Sequence, residues 1–126
     1  MSTNLRIDGG RLVSRLAALS RIGATPEGGC RRLALSDEDK QGRDWLVGQM
    51  RALGLDVKVD AIGNIVGILK GQEDGPAVVM GSHIDTVGTG GRFDGALGVI
   101  AGLEVLAALR DAGLQPKRDK IGRAHV

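Results

Sequence analysis

The apolar pattern changes period at Gly54, and that change limits the fold more than any other feature of the chain. Upstream, Leu46, Met50 and Leu53 recur at helical spacing, the stripe of a helix that starts after Ser36. The Ser36 hydroxyl can cap its first turn, Asp37, Glu38 and Asp39 suit the positive end of its dipole, and Gly54 can stop it. Downstream, Val57 and Val59 alternate with Lys58 and Asp60, the two-residue period of a strand over about 56–61. Ile62 to Asn64 can turn the chain into a returning strand over 65–70. "AVVMGS" (77–82) then reads as a short strand buried on both faces of a sheet. A Gly-rich crossing leads to a helix over about 96–112, which Gly113 stops. An earlier helix is capped by Asp8, with Leu12, Val13, Leu16 and Leu19 as its apolar positions. "GATPEGG" (23–29) reads as a loop. Helices flanking strands predict an α/β domain with helices packed on a sheet.

Composition excludes several classes of function. The 126 residues hold 17 Lys+Arg and 15 Asp+Glu, interspersed, so a pI near 9.0 reflects no basic stripe for nucleic acid. With Trp45 and Phe93 as the only aromatics, stacking platforms for single strands are missing as well. Cys30, the single cysteine, cannot form an internal disulfide and suits a reducing, cytoplasmic setting. The start "MSTNLRIDGG" lacks the apolar run of a signal peptide. The longest apolar stretch, around 99–109, is broken by Glu104 and is too short to span a bilayer.

The last residues read differently from the rest. "LQPKRD" should lead into another strand, yet "KIGRAHV" follows. The codons ATC GGA AGA GCA CAC GTC TGA encode Ile-Gly-Arg-Ala-His-Val and a stop, and that DNA begins a widely used sequencing adapter. The expectation is two regions: 1–119 as domain sequence, and 120–126 as a non-native tail read through from adapter. Without Lys120 and Arg123, the basic residues would number 15, equal to the acidic ones. His125 would then carry no functional argument.

The chemistry concentrates in "MGSHIDTVGTGGRFDG" (80–95). Residues two apart in a strand share a face, so His83 and Asp85 project together beyond the end of the 77–82 strand. Ligands of open α/β sheets bind at that edge. An imidazole can hold a metal through one nitrogen while a carboxylate holds the other. Asp94 arrives at the start of the next helix, as a cap or as a ligand. A histidine with carboxylates and no thiolate is the donor set of a catalytic metal rather than a structural one. His-x-Asp is nonetheless common, and His83 alone also reads as a structural histidine. The glycines at 88, 90, 91 and 95 form no dinucleotide fingerprint, since Phe93 stands at the third glycine position, and no Gly-Lys-Ser/Thr follows.

Taken together, "RIDGGRLVSRLAALSRIGATPEGGCRRLALSDEDKQGRDWL", "VDAIGNIVG" and "GSHIDTVGTGGRFDGALGVIAGLEVL" resemble the N-terminal part of the N-carbamoyl-L-amino-acid hydrolases. That family stands beside the allantoate amidohydrolases and β-ureidopropionases in the M20-peptidase-like group of binuclear metallohydrolases. "GGRFDGALGV", with "GATPEGG" and "LALSDED", is similar to the carbamoylase branch in particular. The resemblance covers Leu5 to Asp119.

It implies a three-layer α/β/α metallo-exopeptidase-like domain, truncated before its later strands and without its dimerisation domain. It implies His83 as ligand of one metal, Asp94 as bridge between two, and Asp85 as the group that orients His83. Phe93 and Gly95 would shape that side of the site. Two divalent ions (zinc, manganese, cobalt or nickel) would activate water against a carbamoyl carbon, with a glutamate of a Glu-Glu pair as general base. That pair is absent here. The expectation is therefore an inactive piece of a homodimeric enzyme acting on a small molecule, binding metal weakly, with an open sheet edge prone to aggregate. An allantoate, ureido-acid or peptide hydrolase is the neighbouring alternative. A truncated noncatalytic metal- or partner-binding protein is the alternative of another class.

Overall fold

The computed structural model describes residues 4–126. Helix α1 spans Gly9–Ser20, with Asp8 accepting from the Arg11 amide at 2.9 Å. Leu16 and Leu19 are buried, but Val13 is 64% exposed and takes no part in the core. Helix α2 spans Asp37–Ala52, capped by Ser36 as its sequence predicts. Both α2 and the last helix end in the same way. Gly54 (φ +73°) and Gly113 (φ +65°) turn left-handed, and the next amides, of Leu55 and Leu114, return to Met50 and Leu109 carbonyls at 3.1 and 3.0 Å.

Strands β1 (Asp56–Val59) and β2 (Ile65–Leu69) form an antiparallel hairpin. Asp60 organises its turn by accepting from the Ile62 and Asn64 amides and from Asn64 Nδ2 at 2.7–3.1 Å. Strand β3 (Val78–Ser82) leads through the Gly-rich crossing into α3 (Ala96–Asp111). Residues 120–124 form β4, Lys120–Ala124, which enters the sheet in the order β1-β2-β4-β3. It runs antiparallel to β2 and parallel to β3. A ladder is made of main-chain groups, so this pairing does not depend on which codons supplied the residues.

The helices share one face of the sheet. A Cβ on Gly67 would meet Met50 of α2, and one on Gly122 would meet Leu106 of α3; these two glycines are ladder partners. Helix α1 packs on α3. The core lies between the layers, around Leu19, Leu46, Met50, Ile65, Ile100, Leu103 and Leu106. Two layers of the expected architecture are thus present among the described residues: the mixed sheet and one layer of helices.

Two expectations change. Strand β3 is not buried on both faces; it is an edge strand, with Val79 55% exposed, because no layer covers the helix-free face. Glu104 does not merely break an apolar run. It is fully buried and accepts from Arg11 Nη2 at 2.9 Å and from Arg11 Nε, while Arg11 Nη1 reaches Asp111 at 2.6 Å. These bonds, first that to Glu104 and then that to Asp111, hold the Arg11 pKa above its ordinary value and tie α1 to α3.

Candidate metal-binding edge

The chemistry expected of 80–95 falls at the C-terminal ends of the parallel pair β3 and β4. His83 is the first residue past β3, and its Nδ1 lies 2.9 Å from the Asp85 carbonyl oxygen and 3.3 Å from Asp85 Oδ1. A carbonyl oxygen only accepts, so Nδ1 carries the hydrogen, and in the neutral ring Nε2 is then the nitrogen with the lone pair. That is the imidazole state a metal takes. Of the two Asp85 oxygens near Nδ1, the main-chain oxygen makes the shorter contact and the carboxylate the longer one.

Asp94 does not cap α3. The N-cap is Gly95 (φ +71°), with no side-chain capping bond, and Asp94 is exposed with its carboxylate directed to no hydrogen-bond donor among the described residues. Gly95, the residue after Asp94, lies against His83. A Cβ there would come within 2.5 Å of His83 Nδ1 and of the His83 carbonyl oxygen, so only a glycine lets the ring lie against the loop. Phe93 is exposed, with the Arg92 guanidinium 5.3 Å from its ring centre. The donors fit a metal in kind: an imidazole whose Nε2 makes no hydrogen bond and an exposed carboxylate, both on the segment that follows β3. They are few, and no group of three or more His, Cys, Asp or Glu converges among the described residues.

A hollow of about 410 Å³ lies at the far end of the sheet, around Gly54, Ile68, Arg110 and Leu114. His125, for which no role is expected, follows β4 with its ring centre 5.8 Å from that of His83.

One element of the edge escapes sequence reading. The loop over 23–32 is stitched to the crossing after β3. Cys30 and Gly90 exchange main-chain bonds at 2.8 and 3.0 Å, and Arg32 and Thr86 are joined by one main-chain and one side-chain bond, the Thr86 amide donating to the Arg32 carbonyl and the Arg32 amide to Thr86 Oγ1, both at 2.7 Å. Glycines and a proline signal a loop, but nothing in "GATPEGGCRR" says where it docks. The close glycine contacts at Gly29 and Gly90 are legible only in three dimensions.

Comparison with known proteins bears on the chain as a whole. The pattern of peptidase family M28 matches residues 64–121, rather than the M20-like group that the motifs resemble. An N-carbamoyl-L-amino acid amidohydrolase of Geobacillus stearothermophilus is 42% identical over 109 residues, 86% of this chain and 27% of that protein. A ureidoglycolate hydrolase of Oryza sativa subsp. japonica is 37% identical over 118 residues, 93% of this chain and 24% of that protein. A crystal structure of a hydantoinase/carbamoylase family amidase from Burkholderia ambifaria superposes with a TM-score of 0.92 at 49% identity, covering 95% of this chain and 30% of that one. The chain spans about a quarter of the length of the curated relatives it matches. Over nearly all of its own length, it is similar to hydrolases of the carbamoylase and ureidoglycolate-hydrolase kind, and its fold is that of part of their catalytic domain.

Proposed function

We propose that this chain is part of a metal-dependent amidohydrolase that cleaves a linear C–N bond, with N-carbamoyl-L-amino acids as substrates and an L-amino acid, carbon dioxide and ammonia as products. The observation that carries the reading is the setting of His83: Nδ1 held by Asp85 and Nε2 without a hydrogen bond, against Gly95, the residue that follows Asp94. His83 would hold one divalent ion, and Asp94 would bridge it to a second. When bound, such a pair lowers the pKa of water and polarises a carbonyl. The chain's own part is to keep His83 in one tautomer and orientation, and to present Asp94 uncapped. The similarity to a ureidoglycolate hydrolase favours a ureido acid as the second substrate class. The whole enzyme would be a cytoplasmic homodimer using zinc, manganese, cobalt or nickel.

A titration of the purified chain with Zn²⁺ or Co²⁺, followed calorimetrically, tests the reading. We expect weak binding that His83→Ala abolishes and Asp94→Ala weakens at least about 10-fold, while His125→Ala leaves it unchanged. Because the chain has no Glu-Glu pair, N-carbamoyl amino acids should not turn over even with Mn²⁺ or Co²⁺ added. Binding that survives His83→Ala would sink the assignment.

A further inference from the structure

The end of β3 is held from beneath by a buried arginine. Arg32 is 1% exposed, and no carboxylate forms an ion pair with it among the described residues. Its donors go to main-chain oxygens instead. Nε donates to Ile84 O at 2.7 Å, and Nη1 donates to Ile22 O at 2.6 Å and Leu19 O at 3.0 Å, with Cys30 Sγ 3.2 Å away. Burial lowers its pKa, an effect partly opposed by Cys30, Asp39 and Asp85. A guanidinium is an expensive way to fill a core, since desolvating a charge is costly and an aliphatic side chain would occupy the space. Helix α2 makes room for it: a Cβ on Gly42 would stand 2.8 Å from Arg32 Cδ.

What distinguishes this arginine is the carbonyl that it holds. Ile84 separates His83 from Asp85, and a peptide group is a rigid plane. Fixing Ile84 O fixes the plane from which Asp85 departs, and so where the Asp85 carbonyl meets His83 Nδ1. The other arm of the fork anchors that plane to the end of α1, at Leu19 and Ile22. We propose that Arg32 is a positioning residue for His83: its fork ties the Ile84–Asp85 peptide to α1, and so holds the imidazole as the Nδ1–H tautomer with Nε2 presented outward. A lysine keeps the charge and loses the planar fork.

The part of this inference that concerns metal affinity rests on the proposed function; the tautomer does not. The test uses the full chain carrying His125→Ala, which leaves one imidazole, labelled with ¹⁵N and free of metal. In the parent, the His83 ring nitrogens should report the Nδ1–H tautomer. Arg32→Lys should move them to a tautomer mixture and weaken Zn²⁺ binding about 10-fold with helical circular dichroism retained. Leu106→Ala, buried under β4, should lower the melting temperature and move neither signal. Should Arg32→Lys fail to fold, Gly42→Ala displaces the same guanidinium within a good helix and should shift the tautomer in the same direction. Ring signals unchanged in the folded variant, or moved as far by Leu106→Ala, overturn the inference. A parent that binds no Zn²⁺, yet whose tautomer responds to Arg32→Lys, ends the metal reading and supports this one.

Discussion

At the scale of single residues, Gly95 does two things that no other residue can do at once. Its φ of +71° lies in the left-handed region, and its bare Cα is where the His83 ring lies. Gly95→Ala should therefore cost about 2 kcal/mol or more in stability and abolish metal binding with it. Gly91→Ala, four residues earlier, meets nothing within 4 Å and should be nearly silent in both measurements. Thermal melts with Zn²⁺ titrations separate the two variants, and equal losses would show that the loop, rather than the contact with His83, matters. His83, Asp85 and Asp94 could be picked out in the sequence as candidates from strand period and helix start. The strength of each contact could not, because a main-chain oxygen two residues on, not the carboxylate, makes the closest approach to Nδ1. Arg32 stayed hidden for a related reason: "RR" at 31–32 looks solvated, and only the docked loop buries the second arginine and not the first.

At the scale of elements, the boundaries the sequence marks with chemistry hold best. Asp8, Ser36, Gly54 and Gly113 all stand where their capping roles predict. The hairpin turn is also a chemical device, and it titrates. The Asn64 side chain, then its amide, hold the Asp60 carboxyl below the usual carboxylate range. The Gly71 amide does the same for Asp119, at 2.7 Å, with Lys70 adding to it. A depressed native pKa means that the stabilisation is complete above the unfolded value near 4 and is lost as pH falls through the native one. The melting temperature should hold steady from pH 7 to about pH 5 with respect to these two groups and decline below about pH 4. Asp60→Asn should flatten part of that acid limb; a limb of unaltered slope would remove Asp60 from the account. The strand over 77–82 was the element read least well, since a short apolar run looks the same at an edge as in a sheet centre.

At the scale of the whole molecule, the sheet is covered on one face only. Ile68, Ile121 and Val79 are ladder neighbours across β2, β4 and β3, so they form one apolar row on the side away from the helices. With β3 also an open edge, the chain should self-associate as its concentration rises. Val79→Lys, which places a charge at the edge end of that row, should reduce this in sedimentation equilibrium. An unchanged association constant would locate the contact elsewhere. The α/β class followed from periodicity, but the strand order did not, because hydrophobic pattern carries no information about which strand inserts between which. That order has a kinetic consequence. The strand joining the hairpin to β3 comes after α3 in the chain, and its ladder with β2 runs from Leu69↔Lys120 to Ile65↔Ala124, across separations of about 50 to 60 residues. Closing a loop of that size costs entropy before any ladder bond repays it. On a ribosome, the hairpin and the β3–α3 segment would emerge as separate halves, unable to join until β4 has emerged. The His83 edge would thus take shape only once β4 has docked.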